Sequence, residues 1–191
     1  EGVAGLGFAT RGAKGEVRLL AASGVEVLTI DPRSGREAGR GPIGPVAPRY
    51  ATFTPDGLLA LAFGDEPTPR LIDLATGRER HALKGGASAP RTAALSVDGR
   101  TAAVGFEDAS VRLWDVASGA ERRALEGHTD QVFALAFAPD GRRIASGASV
   151  TDPVARVWDA ATGEVLARLR GNTRAGYAAA FSPDGRSVLT G

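Results

Sequence analysis

A repeat of about 42 residues is the feature that most constrains how this 191-residue chain can fold. A turn of Asp-Gly type recurs at spacings of 42, 42 and 44 residues, with its glycines at Gly57, Gly99, Gly141 and Gly185. A second marker, an apolar-Asp pair followed by Ser-Gly or Thr-Gly, keeps the same spacings, with its aspartates at Asp31, Asp73, Asp115 and Asp159. Two independent markers in one register indicate a tandem array of similar units.

Short apolar segments lie between the markers and are bounded by Gly, Pro, Asp and Ser, which is typical of strands. In the third unit they predict strands over residues 91–96, 101–106, 110–116 and 121–125. A lone four-stranded sheet of this kind leaves apolar residues on both faces, so neighbouring units must stack to exclude water. The predicted fold is therefore all-β, with four-stranded antiparallel units arranged as blades of a β-propeller.

The segment Leu125-Glu126-Gly127-His128, followed about 30 residues later by Val157-Trp158-Asp159, resembles the WD40 (tryptophan-aspartate) repeat family. In that register the chain holds four units and about half of a fifth, over approximate residues 1–44, 45–86, 87–128, 129–172 and 173–191. Propellers have four to eight blades, so this segment is expected to be an incomplete ring or open arc of a larger propeller. Its open blade edges would allow self-association.

The resemblance implies a hydrogen-bond network of a His, a Ser or Thr, an Asp and a Trp within a blade. The fourth unit has this full set: His128, Ser146, Asp152 and Trp158. The third unit keeps Asp108 and Trp114 but has Gly86 at the histidine position and Gly105 near the serine position.

The first two units have isoleucine, Ile30 and Ile72, where the later units have tryptophan, so apolar packing is expected to hold them. The first unit is also the most divergent, because Ala13-Lys14-Gly15 replaces its Asp-Gly turn. The stretch Gly41-Pro42-Ile43-Gly44-Pro45 is interpreted as a linker between the first two blades, in preference to a recognition segment.

No cofactor and no catalytic or metal residue is predicted. His128, Asp152 and Ser146 are residue types of a hydrolytic triad, yet the same groups can tie a turn to a neighbouring loop without any reaction. The repeated aspartates precede glycines in hairpin turns, and turn chemistry accounts for them. Two histidines and no cysteine are too few for a metal centre, and no phosphate-loop pattern occurs.

The charge and hydrophobicity of the sequence limit the classes of partner that it is expected to bind. The formal net charge is +1 with both signs dispersed, which predicts no nucleic-acid binding. No apolar run approaches about 18 residues, so no membrane insertion is predicted. Only two of the 23 basic residues are lysine, a bias that favours a GC-rich bacterial source, and the absence of methionine predicts that the sequence is a fragment.

The start of each first strand is the predicted partner-binding face. The equivalent positions there are Gly7, Arg49, Arg91, Phe133 and Tyr177. Arginines and aromatics are typical of binding hot spots, although packing of the rings between blades and solvation of the arginines is an equal alternative. Glu107 and Thr151, one residue before the repeated Asp of the second turn, are weaker candidates for the same surface.

The leading hypothesis is a non-enzymatic scaffold that binds a protein or peptide, as the resemblance implies. The alternative is a regulatory or targeting propeller of a larger enzyme, a kinase, protease-like or sigma-factor fusion whose catalytic domain lies outside this segment.

Overall fold

The computed structural model describes residues 3–10, 17–31, 33–44, 48–64, 66–171 and 176–191. These residues form β-strands and turns, and none of them lies in a helix. The chain divides into two compact units, Glu1–Lys84 and Gly85–Gly191. Each unit is built from antiparallel sheets whose strands follow one another in chain order.

The first unit contains two four-stranded sheets, here called blades 1 and 2. Blade 1 consists of β1 (Val3–Thr10), β2 (Val17–Ser23), β3 (Glu26–Ile30) and β4 (Glu37–Pro42). Blade 2 consists of β5 (Tyr50–Phe53), β6 (Leu59–Phe63), β7 (Arg70–Asp73) and β8 (Glu79–Ala82).

The second unit contains blades 3 and 4 and a two-stranded hairpin. Blade 3 consists of β9 (Pro90–Leu95), β10 (Thr101–Phe106), β11 (Val111–Asp115) and β12 (Glu121–Leu125). Blade 4 consists of β13 (Val132–Phe137), β14 (Arg143–Ala148), β15 (Ala155–Asp159) and β16 (Val165–Leu169). The hairpin pairs β17 (Ala179–Phe181) with β18 (Val188–Thr190).

Aspartate side chains stabilise the two kinds of hairpin turn that recur from repeat to repeat. In blade 3, Asp98 Oδ1 accepts hydrogen bonds from the Ser96 hydroxyl at 2.6 Å and the Arg100 amide at 3.0 Å, and Gly99 takes a φ of 68°. That φ lies in the region that glycine occupies without steric cost. In the next turn, the amide and hydroxyl of Ser118 donate to Asp115 and, with Arg122, lower the pKa of Asp115 to about 2.

Apolar side chains of adjacent sheets pack together in each unit. In the first unit, Leu20 and Val27 of blade 1 share a buried cluster with Phe53 and Ile72 of blade 2. In the second unit, a further cluster joins blades 3 and 4 through Val111, Leu113, Leu125, Val132, Ile144 and Trp158. Burial of apolar surface between sheets is the stacking force that the repeat pattern implied.

The fold-class prediction is confirmed: the described chain is all-β, with four four-stranded antiparallel sheets and a smaller fifth. The strands predicted for the third unit match β9 to β12 to within one residue at each end. The linker interpretation was wrong for Gly41 and Pro42, which pair with Val27 and Glu26 at the end of β4. Proline is tolerated there because β4 is an edge strand. The Ala13-Lys14-Gly15 prediction lies outside the described residues.

Within the described residues there is no helix of the length and apolar character that a membrane crossing requires.

Candidate functional site

A buried chain of hydrogen bonds runs through blade 4. His128 lies in the loop before β13, Ser146 lies on β14, Asp152 lies in the β14–β15 turn, and Trp158 lies on β15. Trp158 Nε1 donates to Ser146 Oγ at 2.7 Å. Ser146 Oγ lies 2.6 Å from His128 Nε2, and His128 Nδ1 lies 2.7 Å from Asp152 Oδ2. The network therefore connects the strand interior to the loop and the turn at one end of the sheet.

The hydrogen-bond directions assign the tautomer of His128. Ser146 Oγ accepts a hydrogen bond from Trp158. The Ser146 hydroxyl can therefore donate its proton to His128 Nε2, and Nε2 is the acceptor. Nδ1 consequently carries the ring proton and donates to Asp152. Burial lowers the pKa of His128 below its ordinary value of 6.5, and the nearby Arg156 charge adds to this effect while the Asp152 bond opposes it. The imidazole is therefore neutral at pH 7.

Arg156 is a fifth member of the network that sequence reasoning missed. Its Nη1 donates to Asp152 Oδ2 at 2.9 Å and to the Val154 carbonyl at 2.7 Å. Nη1 also lies 2.7 Å from His128 Nδ1. Because both atoms are donors in the assigned tautomer, we interpret this contact as two donors converging on one carboxylate.

A repeated arginine could have revealed this member. It stands two residues before the Trp or Ile marker in three successive units, at Arg70, Arg112 and Arg156. Each pairs with a carboxylate of its own blade.

Asp152 is held ionised by its partners. Burial would raise the pKa of Asp152, but hydrogen bonds from the Thr129 amide, His128 and Arg156 outweigh burial and lower it. The Thr129 amide donates to Oδ2 at 3.0 Å, which fixes the loop before β13 directly to the turn. Asp152 thus serves as the acceptor that several buried donors share.

In blade 3 an aromatic ring takes the place of the histidine. A Cβ built on Gly86 would collide with the ring of Phe106. Phe106 and Trp114 have ring centroids 6.2 Å apart at 55°, compared with 5.9 Å and 57° for His128 and Trp158. An apolar ring pair of similar spacing and tilt therefore takes the place of the His-Trp pair.

The strand register corrects the serine position in blade 3. Ser146 pairs with Arg156, and the equivalent Arg112 pairs with Val104. Val104 therefore stands at the serine position, one residue from the predicted Gly105. Packing explains the glycine at position 105, because a Cβ there would lie 2.7 Å from Val132 Cγ1 of blade 4.

Asp108 lies exposed in the β10–β11 turn. Its Oδ1 accepts from the hydroxyl of Ser110 at 2.6 Å, and its amide donates to Ser88 in the loop before β9 at 3.0 Å. The turn and the loop are thus tied together in blade 3 as well, without a histidine.

The network geometry does not present a nucleophile. Ser146 is fully buried, and its hydroxyl is engaged by Trp158 and His128. A substrate would have to displace one of these side chains to reach it. In the part of the chain that the structure describes, no group of three or more His, Asp or Glu side chains is positioned to hold a metal ion.

We expect His128→Ala to lower the free energy of unfolding by about 1–3 kcal/mol at pH 7.5, because Asp152 and Ser146 each lose a buried partner. Chemical denaturation followed by tryptophan fluorescence measures this, since both tryptophans lie in the second unit. An unchanged midpoint would show that the network does not contribute to stability.

The same variant should show a pH signature. A folded pKa below 6.5 means that the unfolded chain binds a proton that the folded chain does not, so this contribution is present above pH 6.5 and is lost as pH falls. Wild-type stability should therefore fall between pH 7 and pH 5, and the difference from His128→Ala should narrow. The lowered pKa of Asp152 keeps that carboxylate ionised throughout this window.

Four of the six predicted partner-binding residues form one continuous row in the second unit. The Arg91 guanidinium lies 5.8 Å from the centroid of the Phe133 ring. The Phe133 and Tyr177 rings lie 5.2 Å apart at an angle of 53°. Arg91 also forms an ion pair with Glu107. We call Arg91, Glu107, Phe133 and Tyr177 the aromatic row.

The two remaining candidates lie elsewhere. Thr151 is exposed, and its hydroxyl donates to Asp130 Oδ2 at 2.6 Å, which ties the β14–β15 turn to the loop before β13. Arg49 is exposed just before β5 in the first unit. Arg49 is therefore not a member of the aromatic row.

Comparison with known proteins identifies the repeat. The sequence profile of the family described as "WD domain, G-beta repeat" matches residues 77–115 and 119–159. The first match covers β8 to β11 and the second β12 to β15, so each begins near the outer strand of one sheet and continues through three strands of the next. No curated protein matches the chain. Together with the four-stranded sheets and the His-Ser-Asp-Trp network, these matches show that the chain contains WD40 repeats over residues 77–115 and 119–159.

Proposed function

We propose that the chain acts as a non-enzymatic scaffold that binds a protein or peptide partner through the aromatic row. WD40 repeats are generally protein-interaction scaffolds. The main support for the proposal is that Arg91 contacts Phe133 and Phe133 contacts Tyr177, so that the three side chains form one surface across successive sheets. These side chains differ from one repeat to the next while the surrounding frame repeats, which is what a surface adapted to one partner requires.

The exposure of the row supports binding. Tyr177 is 65% exposed, a large value for an aromatic ring, and Phe133 is partly exposed beside it. Tyrosine, tryptophan and arginine dominate binding hot spots, and the aromatic rings bury much area at a low cost in conformational entropy. The ring contacts orient both side chains before a partner arrives, which reduces that cost further.

The charge on the row also constrains the partner. Glu107 compensates the Arg91 guanidinium, so the surface offers rings and a neutral ion pair. A peptide with an apolar or aromatic side chain flanked by polar groups fits this chemistry. The alternative of a regulatory propeller fused to a catalytic domain uses the same surface and differs only in what lies outside this chain.

The test is a quantitative pull-down in which Arg49, Arg91, Phe133 and Tyr177 are all changed to alanine. We expect loss of the partners that the wild type retains, by about 30-fold or more in affinity if the row is a hot spot. The triple change Arg91→Ala, Phe133→Ala and Tyr177→Ala should have nearly the same effect, which would assign binding to the row alone.

The matched control changes three exposed apolar residues at other places, Leu58→Ala, Val97→Ala and Leu166→Ala. Leu58 and Val97 lie in turns at the opposite ends of their first strands from Arg49 and Arg91. This control should retain the partners. A quadruple variant that is folded and still retains every partner would refute the proposed surface.

A further inference from the structure

Blade 2 contains a cavity of about 670 Å³ within the first unit. Apolar side chains, chiefly Ile43, Ala62, Phe63 and Ile72, form its buried wall, and all four are less than 10% exposed. Its rim carries four charged residues: Glu66, Arg70, Arg78 and Glu79. The volume falls within the range of about 300–1,000 Å³ that is typical of small-molecule sites.

The strand register explains where this cavity comes from. Ala62 pairs with Arg70 and Ala60 with Ile72, as Ser146 pairs with Arg156 and Ile144 with Trp158 in blade 4. In this alignment Gly44 stands at the position of His128, Ala62 at that of Ser146, and Ile72 at that of Trp158. The cavity therefore occupies the region that the hydrogen-bond network fills in blade 4.

Among the described residues that line the cavity, the one aromatic side chain is Phe63, which stacks on Tyr50 with ring centroids 4.9 Å apart and leaves the space open. In blade 3 the Phe106 ring fills the region beside Gly86, but the residue equivalent to Phe106 is Gly64. Both Gly44 and Gly64 line the cavity. Blades 3 and 4 each hold two rings about 6 Å apart at this place, 6.2 Å and 5.9 Å between centroids. Blade 2 has Ile72, Gly44 and Gly64 at the equivalent positions, and the Phe63 ring lies in the cavity wall.

The rim determines which charge a ligand can carry. Arg70 forms ion pairs with both Glu66 and Glu79, and these bonds raise its pKa. With Arg78, the rim has two positive and two negative groups, so its formal charge is zero. An anionic ligand would have to compete with two carboxylates for Arg70. A neutral ligand avoids this cost, and a ring N–H on it can donate to a rim carboxylate.

We propose that the blade 2 cavity is a binding site for a small neutral planar aromatic molecule of one or two fused rings. The apolar wall receives the ring system at the place where blades 3 and 4 have aromatic side chains of their own. The residues that line this site all belong to the first unit, and those of the aromatic row all belong to the second.

Indole is the probe, because it is the ring that Trp158 supplies at the equivalent position. Titration of indole into the full chain, followed in ¹H–¹³C methyl spectra, should shift the methyl signals of Ile43 and Ile72 in a saturable manner. Indole-3-acetate, which adds a carboxylate to the same ring, should bind several-fold more weakly. Tighter binding of the acetate would overturn the assignment of a neutral ligand.

Variants that fill the cavity locate the binding. Gly64→Phe reproduces the Phe106 ring of blade 3, and Ile72→Trp reproduces the Trp158 ring of blade 4. Each should abolish the saturable shift of the Ile43 methyl, and two separate variants guard against the failure of one to fold. Val97→Phe adds the same phenyl ring at an exposed turn of blade 3 and should leave indole binding unchanged.

Two results would overturn the proposal. One is the absence of any saturable shift of Ile43 and Ile72 at millimolar indole. The other is equal indole binding by a folded Gly64→Phe or Ile72→Trp variant, which would place the ligand elsewhere. Both results leave the triple variant of the proposed function unaffected, because Arg91, Phe133 and Tyr177 all lie in the second unit.

Discussion

Trp158→Ala should lower the free energy of unfolding of the second unit by about 3–5 kcal/mol. Trp158 is fully buried and belongs to the apolar cluster that joins blades 3 and 4. Its removal leaves a cavity between the two sheets and takes away the N–H that donates to Ser146 at 2.7 Å. Denaturant unfolding followed by Trp114 fluorescence or by circular dichroism measures the loss.

Two further variants separate the contributions. Trp158→Phe keeps a ring but not the N–H, so it should cost less than the alanine change. Leu166→Ala removes an exposed apolar side chain of the same blade and should stay within about 0.5 kcal/mol of the wild type. An alanine variant at position 158 as stable as the Leu166 variant would contradict the packing described for this interface.

Asp152→Ala should also be strongly destabilising, by about 3–5 kcal/mol, because it breaks a buried ion pair on one side only. The side chains of Asp152 and Arg156 are 4% and 9% exposed, so the guanidinium would remain buried without its carboxylate. The Thr129 amide and His128 Nδ1 would lose the same acceptor. The measurement is again the denaturation midpoint of the second unit.

Blade 3 offers the matched control. Asp108 occupies the equivalent position, but it is exposed and its carboxylate accepts from Ser110. Asp108→Ala should therefore cost about 1 kcal/mol or less. In blade 4, the double variant Asp152→Ala with Arg156→Leu should recover part of the loss, because no charge is then left buried. A double variant less stable than Asp152→Ala alone would show that Arg156 stabilises the blade by another route.

Blades 2, 3 and 4 differ in what fills the region beside the third strand of the sheet. Blade 4 fills the region beside its third strand with His128 and Trp158 and satisfies their polar atoms through Ser146 and Asp152. Blade 3 fills the same region with Phe106 and Trp114. Blade 2 leaves it as a cavity. The repeat period therefore preserves the sheet, while the contents of this region vary.

Much of the fold could be predicted from the residues because hairpin turns act locally. Asp98 and Gly99 close their turn through contacts within five residues, so the same short motif predicts the same turn in each repeat that contains it. The network of blade 4 was predictable for a different reason. His128 and Trp158 lie 30 residues apart in the chain, but the resemblance to a known repeat supplied their relation.

Arg156 and Phe106 were not predicted, because their roles depend on which side chains the sheets bring together. The guanidinium of Arg156 joins the network only because the β14–β15 turn places the Asp152 carboxylate beside it. Phe106 replaces a histidine because the strand register aims its ring at the space beside Gly86. Neither relation follows from the repeat spacing.

The sequence by itself determined the period, the turns, the strand positions and the type of repeat, since each rests on short motifs that recur at a fixed spacing. Only the tertiary structure decided that Arg91, Phe133 and Tyr177 form one row and that blade 2 contains a cavity. Both depend on side chains from strands that are distant in sequence and adjacent in space. Sheet stacking brings such residues together, and their volumes decide whether the space between them is filled.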